Sequence, residues 1–462
     1  MDHHTLKELK NIVGKENITT SKEDLLCYSY DGTGQTFIPE AVAFPGNSQE
    51  ISSIMKLASR SRFPVVPRGA ASGMTGGSLP IRGGLVLAMN RLNRILEIDE
   101  QNHVAVVEPG VINGQLREAL KEKGLFYPPD PASLKFCTMG GNVAECAGGP
   151  SAVKYGVTRD YVLGLEIVLP DGRIMQTGVR TAKGVVGYDL TRLFIGSEGT
   201  LGIITRITVK VIALPTAKKT FLAACASLAG AAGLVTNILK SITPCTLEYL
   251  DHTAIQIVKK KLPFPLDPKT QAFLLIEVDG DSASVAIQTD QLKKLLHEKQ
   301  EMISLQEAAT AAEVDSLWTA RRAVSPSAFD LRPDKISEDV VVPRAYIPDL
   351  VTYAENLSKK YDIPIFTFGH AGDGNIHVNI MLDKNIPEEI EKAQAAKEKL
   401  FRQVIRLSGT LSGEHGVGLT KAAFLSLELD QTSLDVMKSV KKLFDPLDIL
   451  NPGKIFPIEK QP

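Results

Sequence analysis

Three of the chain's eight histidines fall in two short motifs crowded with glycine. The first runs Phe368-Gly369-His370-Ala371-Gly372-Asp373-Gly374-Asn375-Ile376-His377, the second Ser412-Gly413-Glu414-His415-Gly416-Val417-Gly418. Glycines on either side let the backbone present polar side chains into a cleft instead of burying them in a helix. Two imidazoles and a carboxylate suit a divalent Zn, Mn or Fe ion, and a histidine next to a metal ligand is a base near neutral pH. The plainer alternative is a pair of glycine turns whose histidines are satisfied internally. A lone histidine would favour that alternative; three in two such motifs favour chemistry.

A second kind of glycine-rich segment lies earlier. Arg68-Gly69-Ala70-Ala71-Ser72-Gly73-Met74-Thr75-Gly76-Gly77-Ser78 offers a row of backbone N–H groups and hydroxyls that can nest phosphate oxygens. Thr138-Met139-Gly140-Gly141-Asn142, followed by Ala147-Gly148-Gly149, repeats the pattern. Neither has the GxGxxG or GxxxxGK[ST] spacing, so neither a Rossmann dinucleotide site nor a P-loop is indicated. Spacing alone leaves tight turns and a pyrophosphate cradle equally open.

Four blocks, PRGAASGMTGGSLP, PPDPASLKFCTMGGNVAECAGG, VKYGVTRDYVLGLEIVLPDG and FIGSEGTLGIITRITVKV, resemble the FAD domain of the vanillyl-alcohol-oxidase (PCMH) type in order and spacing. The resemblance implies a pyrophosphate site at Arg68, Gly69, Ala70, Ser72, Gly73, Thr75, Gly76, Gly77 and Ser78. It implies a flavin lining of Pro131, Thr138, Gly141, Asn142, Ala147 and Gly148, with Glu198, Gly199, Thr200, Gly202 and Ile204 toward the adenine, and Asn451 as a further cofactor contact. No histidine lies between His103 and His252, so FAD is expected to be held non-covalently.

GHAGDGNIH, SGEHGVG and the closing FDPLDILNPGKIF resemble the C-terminal domain of FAD-linked 2-hydroxy-acid dehydrogenases, a family that includes glycolate oxidase flavin subunits, D-lactate dehydrogenases and D-2-hydroxyglutarate dehydrogenase. Carried over by position, His370, His377 and Glu414 would be metal ligands and His415 the base. Trp318-Thr319-Ala320-Arg321-Arg322 resembles the stretch bearing a substrate-binding arginine, which places Arg321 on the substrate carboxylate. Ser325, Lys335 and Asn375 fall near further substrate positions. The mechanism so implied has the metal take the hydroxyl and one carboxylate oxygen while Arg321 clamps the carboxylate. His415 then accepts the hydroxyl proton as hydride passes to flavin N5. D-lactate or glycolate is the expected substrate, with D-2-hydroxyglutarate the alternative within the class. The electron acceptor would be an electron-transfer flavoprotein, an iron–sulfur subunit or a quinone. Rival readings are a non-catalytic flavin relay subunit of a larger complex and an alkyl-glycerone-phosphate synthase, whose active-site histidine run is missing here.

The elements that must position these residues are legible in outline. VVPRGAASGMTGG, GGLVLAMN, HVAVVEPG and GLEIVLPDGRIM each read as a strand closed by a Gly or Pro turn, with QEISSIMKLASRS as an amphipathic helix among them. The α+β alternation gives a first domain over 1–215, its core about 40–215. A second, substrate and metal domain over 216–462 is an expected α+β cap on a smaller, ferredoxin-like sheet, with the extreme C-terminus docking back on the FAD domain. ALPTAKK marks the junction. The 462 residues suit two domains, and 52 basic against 53 acidic residues offer nucleic acid no electrostatic attraction. Five scattered cysteines without a CxxC pair exclude an iron–sulfur cluster held by this chain alone and suggest a reducing cytoplasm. The first twenty residues have no apolar core for a signal peptide. Phe221 to Leu239 carries no charge but is rich in Ala, Gly and Ser, and reads better as strand then helix than as a membrane span. Peripheral association at the inner face of a membrane and a homodimer stay open.

Overall fold

The computed structural model describes residues 1–263, 265–297 and 299–457. The chain forms two compact units: Met1–Gly148 with Val157–Leu214 and Glu414–Pro462, and Gly149–Gly156 with Pro215–Gly413.

In the first unit, buried apolar runs make two main sheets, beside a two-stranded pairing of Leu125–Phe126 with Ile212–Ala213. Ala41–Ala43, Leu85–Ala88 and Val65–Arg68 pair in parallel, with the short Ile18–Thr19 at one edge. The crossover between Ala41–Ala43 and Val65–Arg68 is the helix Ser48–Ser61, capped by the Asn47 side chain. That helix buries Ile51, Ile54, Met55 and Ala58, the helical spacing that hydrophobic periodicity predicts. A five-stranded antiparallel sheet follows in the order Ile95–Asp99, Val104–Val107, Ile203–Lys210, Val162–Val168, Ile174–Gly178. The closing FDPLDILNPGKIF segment is tied to the first sheet, since Val65 N–H donates to the Ile449 carbonyl and Asn451 N–H to the Val65 carbonyl.

The second unit holds one antiparallel sheet of seven strands, in the order Met302–Glu307, Ala217–Cys225, Ala272–Gly280, Thr246–Asp251, Ile365–His370, Asn375–Leu382, Asp334–Val341. A smaller sheet is the expectation here; this one has more strands than any sheet of the first unit. The difference arises because the GHAGDGNIH motif is itself a hairpin, whose strands run Ile365–His370 and Asn375–Leu382. Gly374 makes its turn possible at φ +92°, where an added Cβ would stand 2.1 Å from the Val342 carbonyl oxygen. The helices His252–Val258 and Ala311–Ser327 cover one face through Ile255, Val258, Leu317, Ala320 and Val324, packed against Leu250, Phe273, Phe366 and Phe368. Phe221 to Leu239 is divided between the strand Ala217–Cys225 and the helix Leu228–Ser241, as expected. Among the described residues no helix is long and apolar enough to cross a membrane.

Candidate active site

The first unit draws its glycine-rich segments together. The strand Val65–Arg68 ends where the loop 69–78 begins, and an added Cβ at Gly69 would stand 2.3 Å from Thr138 Oγ1. Thr138 caps the helix Met139–Glu145 by accepting from Gly141 N–H. An added Cβ at Gly77 would meet Glu145 Oε1 at 2.7 Å. Four non-glycine residues of these segments and their neighbours take left-handed φ angles: Ala71, Cys146, Glu198 and Asn451. Such strain persists only where the surroundings over-determine it.

The same unit seats the second histidine motif on that loop. Thr75 Oγ1 donates to the His415 carbonyl (2.9 Å), and the Thr75 carbonyl accepts from Leu419 and Thr420. Glu198 accepts from Val417 and Gly418 N–H, both at 2.7 Å. Its carboxylate, expected toward an adenine, therefore fastens the loop that carries His415. Asn451 Nδ2 donates to the carbonyls of Gly77 and Glu198, joining the same elements. Glu414 lies against Gly148, where an added Cβ would be 3.0 Å from Oε2. Burial lowers the nearby Lys454 to about 8 although Asp31, Glu198 and Glu145 oppose the shift.

Whether this cradle fits FAD is tested by its buried polar atoms. Arg68 Nη1, Ser78 Oγ and Asn142 Nδ2 have no hydrogen-bond partner among the described residues. Two are donors and the third a hydroxyl, in the segments expected to face pyrophosphate and flavin. Unpaired buried donors are costly, and a phosphate or a ring carbonyl would satisfy them. Gly202 and Ile204 also pack the sheet: a Cβ at Gly202 would strike Ile167 at 2.5 Å, and Ile204 is buried. Pro131 and Ala147 lend their carbonyls to local turns, accepting from Leu134 and Thr158.

The second unit gathers a different set. Register places Glu248 opposite His370, His370 opposite Asn375, and Phe368 opposite His377, so these side chains share one face of the sheet. The imidazoles of His370 and His377 meet edge to face at 5.3 Å, and both residues are buried. Arg321 reaches down from the helix Ala311–Ser327, its guanidinium 4.6 Å from the Phe368 ring and its Nη2 2.5 Å from Glu248 Oε2. Its Nε is buried without a partner among the described residues, as is Asn375 Oδ1. One helical turn on from Arg321, Ser325 Oγ accepts from Lys335 Nζ at 2.6 Å. Burial lowers the Lys335 pKa.

No sequence motif marks Glu248. It is fully buried, and its Oε1 lies 2.5 Å from His370 Nδ1. Burial alone would raise its pKa, but the charges of His370 and Arg321 prevail and hold it below the ordinary carboxylate value. Its one sequence signal is an acid in the middle of the apolar strand CTLEYLD.

Residues 214–455 match the model of FAD linked oxidases, C-terminal domain, and residues 39–178 that of an FAD binding domain. The chain belongs to the FAD-linked oxidase family. It is 45% identical over 452 residues to glycolate oxidase subunit GlcD of Bacillus subtilis, covering 97% of this chain and 96% of that protein. It is 35% identical to D-lactate dehydrogenase of Anaerostipes hadrus, with 90% and 89% covered. Among solved structures, p-cresol methylhydroxylase with substrate bound aligns at a TM-score of 0.78 and 16% identity, over 99% of this chain and 97% of that one. An alkyldihydroxyacetonephosphate synthase does so at 0.78 and 21%, over 98% and 86%. These two likenesses concern fold, and they bear out the vanillyl-alcohol-oxidase-type α+β architecture expected from sequence. This FAD-linked oxidase is an FAD-dependent oxidoreductase.

Proposed function

We propose that this FAD-linked oxidase converts a small 2-hydroxy acid, D-lactate or glycolate, to its 2-keto acid, using a divalent metal held by His370, His377 and Glu414. The reading is carried by one observation: two buried imidazoles share a sheet face over which a helix holds Arg321, whose buried Nε is an unspent donor. Glu414 is supported as the third ligand by its place in the chain. It directly follows Gly413, whose N–H is anchored to Asp339 Oδ2 at 2.9 Å. The names of the relatives support the substrate class.

When bound, FAD supplies a two-electron acceptor and the metal a Lewis acid that acidifies a hydroxyl. Arg321 binds the substrate carboxylate through its Nε, which Glu248 leaves unspent, and so fixes which Cα–H is presented. The His415 imidazole takes the hydroxyl proton, while its main chain stays gripped by Thr75. Electrons then leave for a separate acceptor, a protein or a quinone. The Lys335–Ser325 pair, one turn from Arg321, favours a second reading in which a distal carboxylate is also held, as in 2-hydroxyglutarate.

Turnover of metal-stripped protein with a dye acceptor tests the proposal. Oxidation of D-lactate or glycolate should disappear on chelation and return with Zn, Mn or Fe. Unchanged turnover after verified metal removal would refute the metal's role.

A further inference from the structure

Glu248 divides its two oxygens between a histidine and an arginine that belong to different tasks. Oε1 faces His370 Nδ1 and Oε2 faces Arg321 Nη2, each at 2.5 Å, and the carboxylate has no exposure. An ionised carboxylate only accepts hydrogen bonds, so the proton between Glu248 and His370 resides on Nδ1. In a neutral imidazole Nε2 then carries the lone pair. His370 is held by the strand pairing of Glu248 with it, not by a flexible contact, because the two residues are in register on adjacent strands.

We propose that Glu248 is a positioning residue: it fixes His370 in the tautomer whose Nε2 ligates metal, and with its other oxygen sets the Arg321 guanidinium for the substrate anion. The inference rests on the metal reading given above. It assigns one buried carboxylate to both halves of the task, so metal ligand and anion clamp are set by the same strand. A solely structural ion pair between Glu248 and Arg321 would leave the His370 contact without consequence for metal affinity.

The test separates the two contacts. The full-length protein is stripped of metal and titrated with Co²⁺, read by its visible ligand-field bands, for wild type, R321M and the double variant E248M/R321M. Removing both charges together avoids stranding a buried guanidinium. R321M should bind Co²⁺ within about threefold of wild type, and the double variant roughly 10- to 100-fold more weakly, the usual cost of losing a histidine's outer partner. Far-UV circular dichroism and flavin content should match across the three. Equal affinity of the double variant and R321M would overturn the inference while leaving the metal reading intact. Should wild type itself take up no Co²⁺, both would fall. If the double variant does not fold, E248Q, of the same shape, serves in its place. It should weaken Co²⁺ binding several-fold, and affinity equal to wild type would overturn the assignment.

Discussion

At the scale of single residues, His415 offers a clean substitution. Its loop is held through its carbonyl, which accepts from Thr75 Oγ1, so replacing the side chain leaves that anchor in place. His415→Ala is expected to lower kcat about 10²- to 10⁴-fold, the usual weight of a general base. FAD content, read from the visible spectrum, should be unchanged; normal turnover would remove His415 from the reaction. Asp251 provides a stability test. Burial raises its pKa to about 6 from 3.8, even though Ala254 N–H, Thr367 N–H and Thr367 Oγ1 all donate to it. Between those values the folded chain holds more protons than the unfolded one, so the contribution of Asp251 to stability falls as pH rises through the window. The stability gap between wild type and Asp251→Asn should therefore shrink between pH 4 and 6.5, by roughly 2 kcal/mol. Denaturant melts across that range check it, and a gap that widens would contradict the assignment.

At the scale of elements, two turns carry the chemistry. Gly374→Ala forces a Cβ into the Val342 carbonyl at a positive φ, which should cost roughly 1–3 kcal/mol or more. Its measurable consequences are a lowered Tm and weaker metal uptake, because the turn joins the strands bearing His370 and His377. Glu198→Ala releases the amides of Val417 and Gly418 and should loosen the loop bearing His415. We expect lower activity together with partial loss of FAD on gel filtration; retained FAD and full activity would show that the loop holds without it. Sequence revealed these turns because glycine beside histidine or acid is an uncommon and local signal. It did not reveal Glu248. The strand Thr246–Asp251 is buried at every position, so no period-two alternation marks which face is which. The carboxylate's partners lie more than seventy and a hundred residues away in sequence, at Arg321 and His370, and only strand pairing brings them near. Lys335 and Ser325, named only from resemblance, are adjacent in space for a similar reason, since a helix end and a strand start converge there.

At the scale of the whole molecule, the seven-stranded sheet exceeds the smaller one expected because three of its strands escape the sequence pattern. Ile365–His370 and Asn375–Leu382 were concealed in the histidine motif, while Asp334–Val341 carries charges at Lys335, Glu338 and Asp339 that mask its alternation. The FAD-binding architecture was legible because its glycine loops must keep both composition and spacing to admit a backbone-held ligand. The direct test of the central claim is an anaerobic visible spectrum of the FAD- and metal-loaded protein, titrated with D-lactate, L-lactate, glycolate and D-2-hydroxyglutarate. One of these 2-hydroxy acids, D-lactate or glycolate first, should bleach the oxidised-flavin band, and chelation should abolish the bleaching. A flavin band that none of the four acids bleaches, with metal present, would contradict the claim.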